Sequence, residues 1–360
     1  MGEPTRALAW AALADASLPT AAAVTLLRTM GSPEAVLASS RASISSAAGA
    51  AVAQRLAERD PARAEAARAW LDDAEHRLIA WDDEAYPRSL LELADPPLAL
   101  FAMGRLELLS RPAIAIVGSR QATTQGIEDA AAFARTLAAA GLTVVSGLAQ
   151  GIDAAAHRGA LPTPASTIAV MGTGPDRVYP AGHRDLARAI AAQGLVVTQF
   201  TPGTPPLKAN FPARNRLIAG LAMGVLVVEA APGSGSLITA RFAVEQGRDV
   251  FAIPGSIHSP LSKGPHRLIR DGAKLVETAQ DVLTELRLPP VAAAGAVPAI
   301  AEPDPLRARL VDAMGRGPVD LDRLVARTGL PPERIAAALV QLELDGRVSP
   351  LPGGRWQRMG

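Results

Sequence analysis

The chain has no cysteine. That excludes a disulfide scaffold, an iron–sulfur cluster, a cysteine zinc site and a thiol nucleophile, and it is compatible with a reducing compartment. Lysine is nearly missing as well: Lys208, Lys263 and Lys274 are the only three among 36 basic residues. Aromatic residues make up 3%. The longest clean apolar run, Leu217 to Val228, is bounded by Arg216 and Glu229 and falls short of the roughly 20 residues that span a bilayer. No basic segment leads into an apolar core near the start, where Glu3 and Asp15 interrupt the pattern, so no signal peptide is expected. A soluble, cytoplasmic protein without membrane contact is the expectation.

What is present builds a core. The 360 residues are 49% hydrophobic and 20% charged, enough for two or three folded domains and too apolar for a disordered chain. The net charge of +1 argues against a uniformly basic coat but hides local concentration. A GC-rich coding bias accounts for the arginine and alanine excess. It does not account for all three lysines falling in one central stretch. Nor does it explain the acid-free window from Leu186 to Val228, which carries Arg188, Lys208, Arg214 and Arg216.

Helical periodicity without strand-like runs marks residues 1–75, with breaks at Pro19, Gly31-Ser32-Pro33 and Asp60-Pro61. Ser32, Pro33 and Glu34 supply an N-cap, a first-position proline and a first-turn acid. From 113 onward, short β-branched runs alternate with Gly/Ser loops and stretches of helical length. The runs are Ile114–Val117, Thr143–Val145, Thr167–Val170, Val196–Thr198, Val225–Val228 and Val250–Ile253. Such alternation predicts an α/β domain over 76–287 around a mostly parallel sheet covered on both faces, with function along its carboxyl edge. A linker composition covers 288–304. Residues 305–360 read as three helices and a hairpin wing; DNA and a protein are both open as its partner, because Glu333, Glu343 and Asp345 dilute the charge of the third helix.

Six loops carry the polar chemistry. Gly118-Ser119-Arg120 ends a strand, so freed amides, a hydroxyl and a guanidinium suit an anion; an ordinary tight turn is the plain alternative. Ser146, Asp153 and His157 lack a Gly-x-Ser-x-Gly elbow and make a poor triad. The four-residue spacing of Asp153 and His157 predicts a hydrogen bond along one helix face. Met171-Gly172-Thr173-Gly174 is the third loop. Lys208-Ala209-Asn210-Phe211-Pro212-Ala213-Arg214-Asn215-Arg216, a proline-constrained loop, sets an aromatic between basic groups. There Phe211 serves as a stacking platform for a base or as a plug over the core. Pro232-Gly233-Ser234-Gly235-Ser236 and the Pro254–Lys263 stretch complete the edge. No His/Asp/Glu cluster has metal spacing, so neither a metal nor another cofactor is expected.

At these residues the sequence resembles the DNA-processing protein A family, also called Smf. The matching strings include Ser146-Gly147-Leu148-Ala149, Gly151-Ile152-Asp153, Phe211-Pro212-x-Arg214-Asn215-Arg216, Ser234-Gly235-Ser236-Leu237-Ile238-Thr239 and Gly247-Arg248-x-Val250. They run from about Tyr86 to Leu283. The resemblance implies an extended Rossmann-like domain flanked by a small helical domain (sterile-alpha-motif or helix–hairpin–helix-like) and a C-terminal winged helix. It implies a non-catalytic protein that binds single-stranded DNA, forms a homodimer and helps load the RecA recombinase during natural transformation.

By motif position, Arg120, Lys208, Phe211, Arg214 and Arg216 would line the strand-binding pocket. Gly118, Ser119 and Ser236 would add backbone and hydroxyl contacts, with Asn215 and Lys263 completing the set. Gly233 departs from the family pattern where a basic residue is common, which removes one phosphate contact; Ala222 departs where serine is common. The competing expectation is an enzyme on the same scaffold, similar to nucleoside-monophosphate phosphoribohydrolases, in which Glu229 at a strand end would act; a structural carboxylate is the plainer reading of Glu229.

Overall fold

The computed structural model describes residues 3–288, 305–315, 317–345, 347–351 and 353–359. Apart from Leu288, the expected linker over 288–304 lies outside the described residues. Two compact units are present, Met1–Val291 and Ala292–Gly360.

The first unit is organised by a nine-stranded sheet. Its strands are β1 (His76–Ala80), β2 (Ala99–Gly104), β3 (Ala113–Val117), β4 (Thr143–Ser146), β5 (Thr167–Val170), β6 (Leu195–Thr198), β7 (Gly224–Val227), β8 (Asp249–Ala252) and β9 (Lys274–Leu275). Their spatial order is β1-β2-β6-β5-β4-β3-β7-β8-β9. From β6 to β9 every neighbouring pair is parallel, while β1 and β2 add an antiparallel end. Alternate residues of the central strands feed opposite cores. Ala113, Ala115 and Val117 join Val225 and Val227 on one face, and Ile114 and Ile116 join Leu226 and Val228 on the other. Burial on both faces is why these strands read as continuous apolar runs.

The helical stretch at the start packs on the antiparallel end. Helix Pro33–Ala38 is capped by Ser32, whose hydroxyl accepts the Ala35 amide at 3.2 Å, and helix Pro61–Leu71 is capped by Asp60. Ala80 and Leu98 share a core with Trp10, Leu13, Leu26 and Val36, and Trp70 meets Phe101 edge-on at 5.5 Å. Polar ties join the same elements: Asp15 accepts from Thr201 and Arg63, and Asp95 from Thr20. Among the described residues no helix is long and apolar enough to cross a membrane.

Strand order reverses at β3. The chain steps outward from β3 through β4 and β5 to β6, then returns to place β7 on the other side of β3. The loops leaving β3 and β7 therefore diverge from a shared origin and leave a crevice between them, the usual place for a ligand in an open α/β sheet.

The second unit has helices Pro305–Met314, Leu321–Thr328 and Pro332–Leu344, followed by paired strands Val348–Leu351 and Arg355–Arg358. Leu310, Leu324, Ile335, Leu339 and Leu342 form its core. The exposed side of the third helix mixes Glu333, Arg334, Ala336, Ala337 and Val340.

Candidate nucleic-acid cleft

A cleft of about 650 Å³ occupies that crevice. Its walls come from the β3 loop (Gly118–Gln121), the β4 loop (Ala149, Gln150), Asp153, the start of helix Asn210–Leu221 and the β7 loop through Ser236. The two principal loops are tied together. The Ser119 amide donates to the Glu229 carbonyl at 2.7 Å, and the Glu229 carboxylate accepts from the Thr123 amide at 2.9 Å and its hydroxyl at 2.6 Å. Glu229 is thus a brace between loops rather than a free acid. Ser234 caps helix Gly235–Glu245, accepting the Ser236 amide, and its hydroxyl lies 2.8 Å from that of Ser236.

The informative segment around Phe211 is helical, not a loop. The helix begins at Asn210 and takes Pro212 within its first turn, where the missing N–H is one the helix leaves unpaired anyway. Phe211, Arg214, Asn215 and Ile218 fall at helical spacing and all line the cleft. The Arg120 guanidinium sits over the Phe211 ring, 5.5 Å from its centroid, and Tyr179 lies 5.5 Å away at a tilt of 48°. Phe211 also packs against Gly172, where any Cβ would come within 2.9 Å of the ring.

Of the ten expected contact residues, Gly118, Ser119, Arg120, Phe211, Arg214, Asn215 and Ser236 meet at this cleft. Arg120 is exposed at its rim. Arg214 lies underneath: it is 4% exposed and donates through Nη1 to the carbonyls of Gly147, at 2.5 Å, and Val170. Burial pulls its pKa down to about 10 despite Asp153 nearby, so it stays protonated at neutral pH. A Cβ on Gly147 would approach that guanidinium to 2.5 Å, which is why glycine stands there. Asn215 donates to the Gly235 carbonyl at 3.1 Å and joins the helix to the β7 loop.

Three residues stand elsewhere. Arg216 points away from the cleft, donating to the Asp95 carbonyl and to Gln199 Oε1 at 2.7 Å. Side chains two apart on a helix diverge by about 200°, so Arg214 and Arg216 cannot share a face. Lys208 is exposed just before the helix, outside the cleft lining. Lys263 is exposed beyond β8 and donates to the Ile257 carbonyl at 2.6 Å.

The expected Asp153–His157 bond is not made. Asp153 Oδ2 accepts the Gly147 and Ala149 amides at 3.1 and 3.3 Å. His157 Nε2 accepts the Leu148 amide at 3.2 Å, and its Nδ1 meets Thr167 Oγ1 at 2.7 Å. Each instead holds the β4 loop, whose buried amides need acceptors. Burial pushes the Asp153 carboxyl up, against the pull of Arg214 and the two amides. Burial, with Arg214 adding to it, drives His157 down to about 3. Among the described residues no group of acids and histidines is arranged to hold a metal.

Gln121, Gln150, Asp153 and Thr239 also line the cleft and were not among the expected contacts. For Asp153 a sequence signal existed: an acid in the first turn of a helix after a glycine-rich loop accepts loop amides.

A doubly wound sheet with a cleft of amides, hydroxyls and a guanidinium at its strand-order reversal defines a Rossmann-type α/β protein with an open cleft at the switch point. The match to known proteins is more specific. The model of the DNA recombination-mediator protein A family covers residues 77–287, and that of the DprA winged helix domain covers 294–354. The chain belongs to that family. It is 42% identical to protein Smf of Escherichia coli over 300 residues, 81% of this chain and 79% of the relative. It is 36% identical to the putative DNA processing protein DprA of Mycobacterium tuberculosis, across 99% of this chain and 95% of the relative. The solved DNA processing protein A of Streptococcus pneumoniae superposes with a TM-score of 0.67 at 41% identity, covering 76% of this chain and 95% of that one. The Helicobacter pylori protein, described for its single-stranded DNA binding mode, gives a TM-score of 0.54 at 31% identity, over 59% of this chain and 96% of that one.

Proposed function

We propose that this protein binds single-stranded DNA in the cleft between the β3 and β7 loops, and does so without catalytic turnover. The observation that carries this reading is the placement of the Arg120 guanidinium over the Phe211 ring at the cleft mouth. A cation for phosphate beside an aromatic face for a splayed base is the combination that holds single strands with little regard to sequence. The Gly118 and Ser119 loop and the Ser234-Gly235-Ser236 helix start supply amides and hydroxyls for the backbone. Membership of a recombination-mediator family, and a relative described for binding single strands, point the same way.

In this proposal the protein acts in the cytoplasm as a homodimer. It protects incoming strands and helps load the RecA recombinase onto them during natural transformation. Helix Lys263–Arg270, which carries the half-buried Leu268 and Ile269, is the proposed source of apolar contacts between copies. The test is fluorescence anisotropy with a labelled oligonucleotide, competed by unlabelled single strand and duplex, alongside a sizing column. Single strand is expected to compete at far lower concentration. Equal competition by duplex would remove the cleft model.

A further inference from the structure

Leu148 is held in a backbone conformation that a leucine seldom takes. Its φ is +58°, in the left-handed region, where a Cβ crowds the following carbonyl. Its side chain is fully buried among Ala154, Ala169, Met171 and Leu186. A bulky residue stays in that region only where its surroundings over-determine it. The turn around Leu148 is bonded to side chains from other segments on every side. Asp153 and His157, on helix Ile152–Ala160, accept the amides of Gly147, Leu148 and Ala149. Arg214 donates to the Gly147 carbonyl. The Leu148 carbonyl lies 2.9 Å from His183 Nδ1. A carbonyl only accepts, so His183 carries a proton on Nδ1 and donates it. His157 presents a bare Nε2 to the amide of the same residue. One imidazole thus holds the N–H of Leu148 and another holds its C=O.

What this fixes is one wall of the cleft. Ala149 and Gln150, the next two residues, line it, whereas Leu148 and His183 stand outside the lining. Turning Leu148 out of the left-handed region would swing both wall residues. His183 also opens helix Arg184–Gln193 and follows closely on Tyr179, whose ring lies 5.5 Å from Phe211. Its bond therefore ties the segment that carries Tyr179 to the β4 loop. His157 is sealed in the core, while His183 is half-buried, so His183 can be replaced without opening a cavity there.

We propose that His183 is a positioning residue for strand binding: through Nδ1 it locks Leu148 in the left-handed region and so sets the Ala149–Gln150 wall, without itself touching the strand. This rests on the reading of the cleft as a single-stranded DNA site. The bond acts at a distance from the ligand, through the backbone of one residue.

The experiment measures the affinity of the full chain for a labelled oligothymidylate by fluorescence anisotropy at several salt concentrations. His183→Ala removes the donor and is expected to weaken binding roughly five- to tenfold. His183→Asn places an amide nitrogen where Nδ1 stood and is expected to bind within about twofold of the unmodified protein. His183→Gln carries its nitrogen one bond further out, at the place of Nε2, and is expected to bind as weakly as the alanine variant. The slope of log K against log salt should be the same in every variant, because His183 meets no phosphate. Full affinity in His183→Ala would overturn the proposal. Equal weakening by asparagine and alanine would overturn it too, since the effect would then be detached from the Nδ1 bond. A slope lowered by one phosphate's share, about 0.7, would put His183 on the strand and likewise end the positioning role. Failure of the unmodified protein to bind the oligonucleotide would instead overturn the reading of the cleft itself.

Discussion

Arg214 and Arg216 stand two residues apart on one helix and serve opposite sides of it. Arg214 lies beneath the cleft, bonded to the Gly147 and Val170 carbonyls, and Arg216 is turned to the Asp95 carbonyl and Gln199. The helix that presents Phe211 is therefore fixed from both sides by guanidinium groups, one of them within reach of ligand. Arg216→Ala is expected to lower thermal stability by about 1 kcal/mol, because it removes the donor to the exposed Asp95 carbonyl and to half-buried Gln199. The slope of log K against log salt should not change. A slope reduced by one phosphate's share would place Arg216 on the strand after all.

Salt dependence follows from the count of free cations. Four phosphate contacts on single-stranded DNA correspond to a slope of about −3. With Arg214 buried, Arg216 turned away and Lys263 beyond β8, the expected contacts left to meet a strand are Arg120, exposed at the cleft, and Lys208, exposed just before the helix that carries Phe211. The expected slope is then about −1.4, and Arg120→Ala should halve it to about −0.7. Titrations at several salt concentrations measure this directly.

Phe211→Ala is expected to weaken single-strand binding by about 1–3 kcal/mol, the worth of one base stacked on an aromatic ring. The ring is half-buried and faces Arg120 and Tyr179, so the melting temperature should move by only a few degrees. Unfolding of the variant at ambient temperature would mark the ring as a core plug.

Glu229 separates a binding protein from a hydrolase on this scaffold. Its two oxygens accept from Thr123, so Glu229→Gln, which loses one acceptor, should cost about 1–3 kcal/mol of stability. No nucleotide turnover should be detectable in either form. Hydrolysis of a nucleoside monophosphate by the unmodified protein, abolished in the variant, would overturn the non-catalytic reading.

His157 should make stability fall with acid. Its pKa is about 3 in the folded protein against an ordinary value of 6.5. Between those values the unfolded chain binds a proton that the native state refuses, so stability rises with pH there and is lost as pH falls below about 6.5. From pH 7 to pH 5 the expected loss is about 2 kcal/mol. Urea melts of the unmodified protein and His157→Asn at the two pH values should differ by that amount.

The alternation of apolar strands with helices, the cap at Ser32 and the family were all legible in the order of residues alone. Each of these is local: a run buried on both faces must be apolar throughout, and a cap needs only its own turn. The antiparallel pair β1 and β2 was not legible in the same way, since strand pairing joins residues far apart in the chain. Which cations face the cleft was settled by packing. A list of basic residues carries no direction, and the helical pitch sends Arg214 and Arg216 apart. Packing also decided that Asp153 and His157 serve the β4 loop rather than each other, because amides buried in a glycine-rich turn compete for the same acceptors. Whether a motif residue meets a ligand or braces the scaffold depends on what lies across from it, and that is set by packing between distant segments.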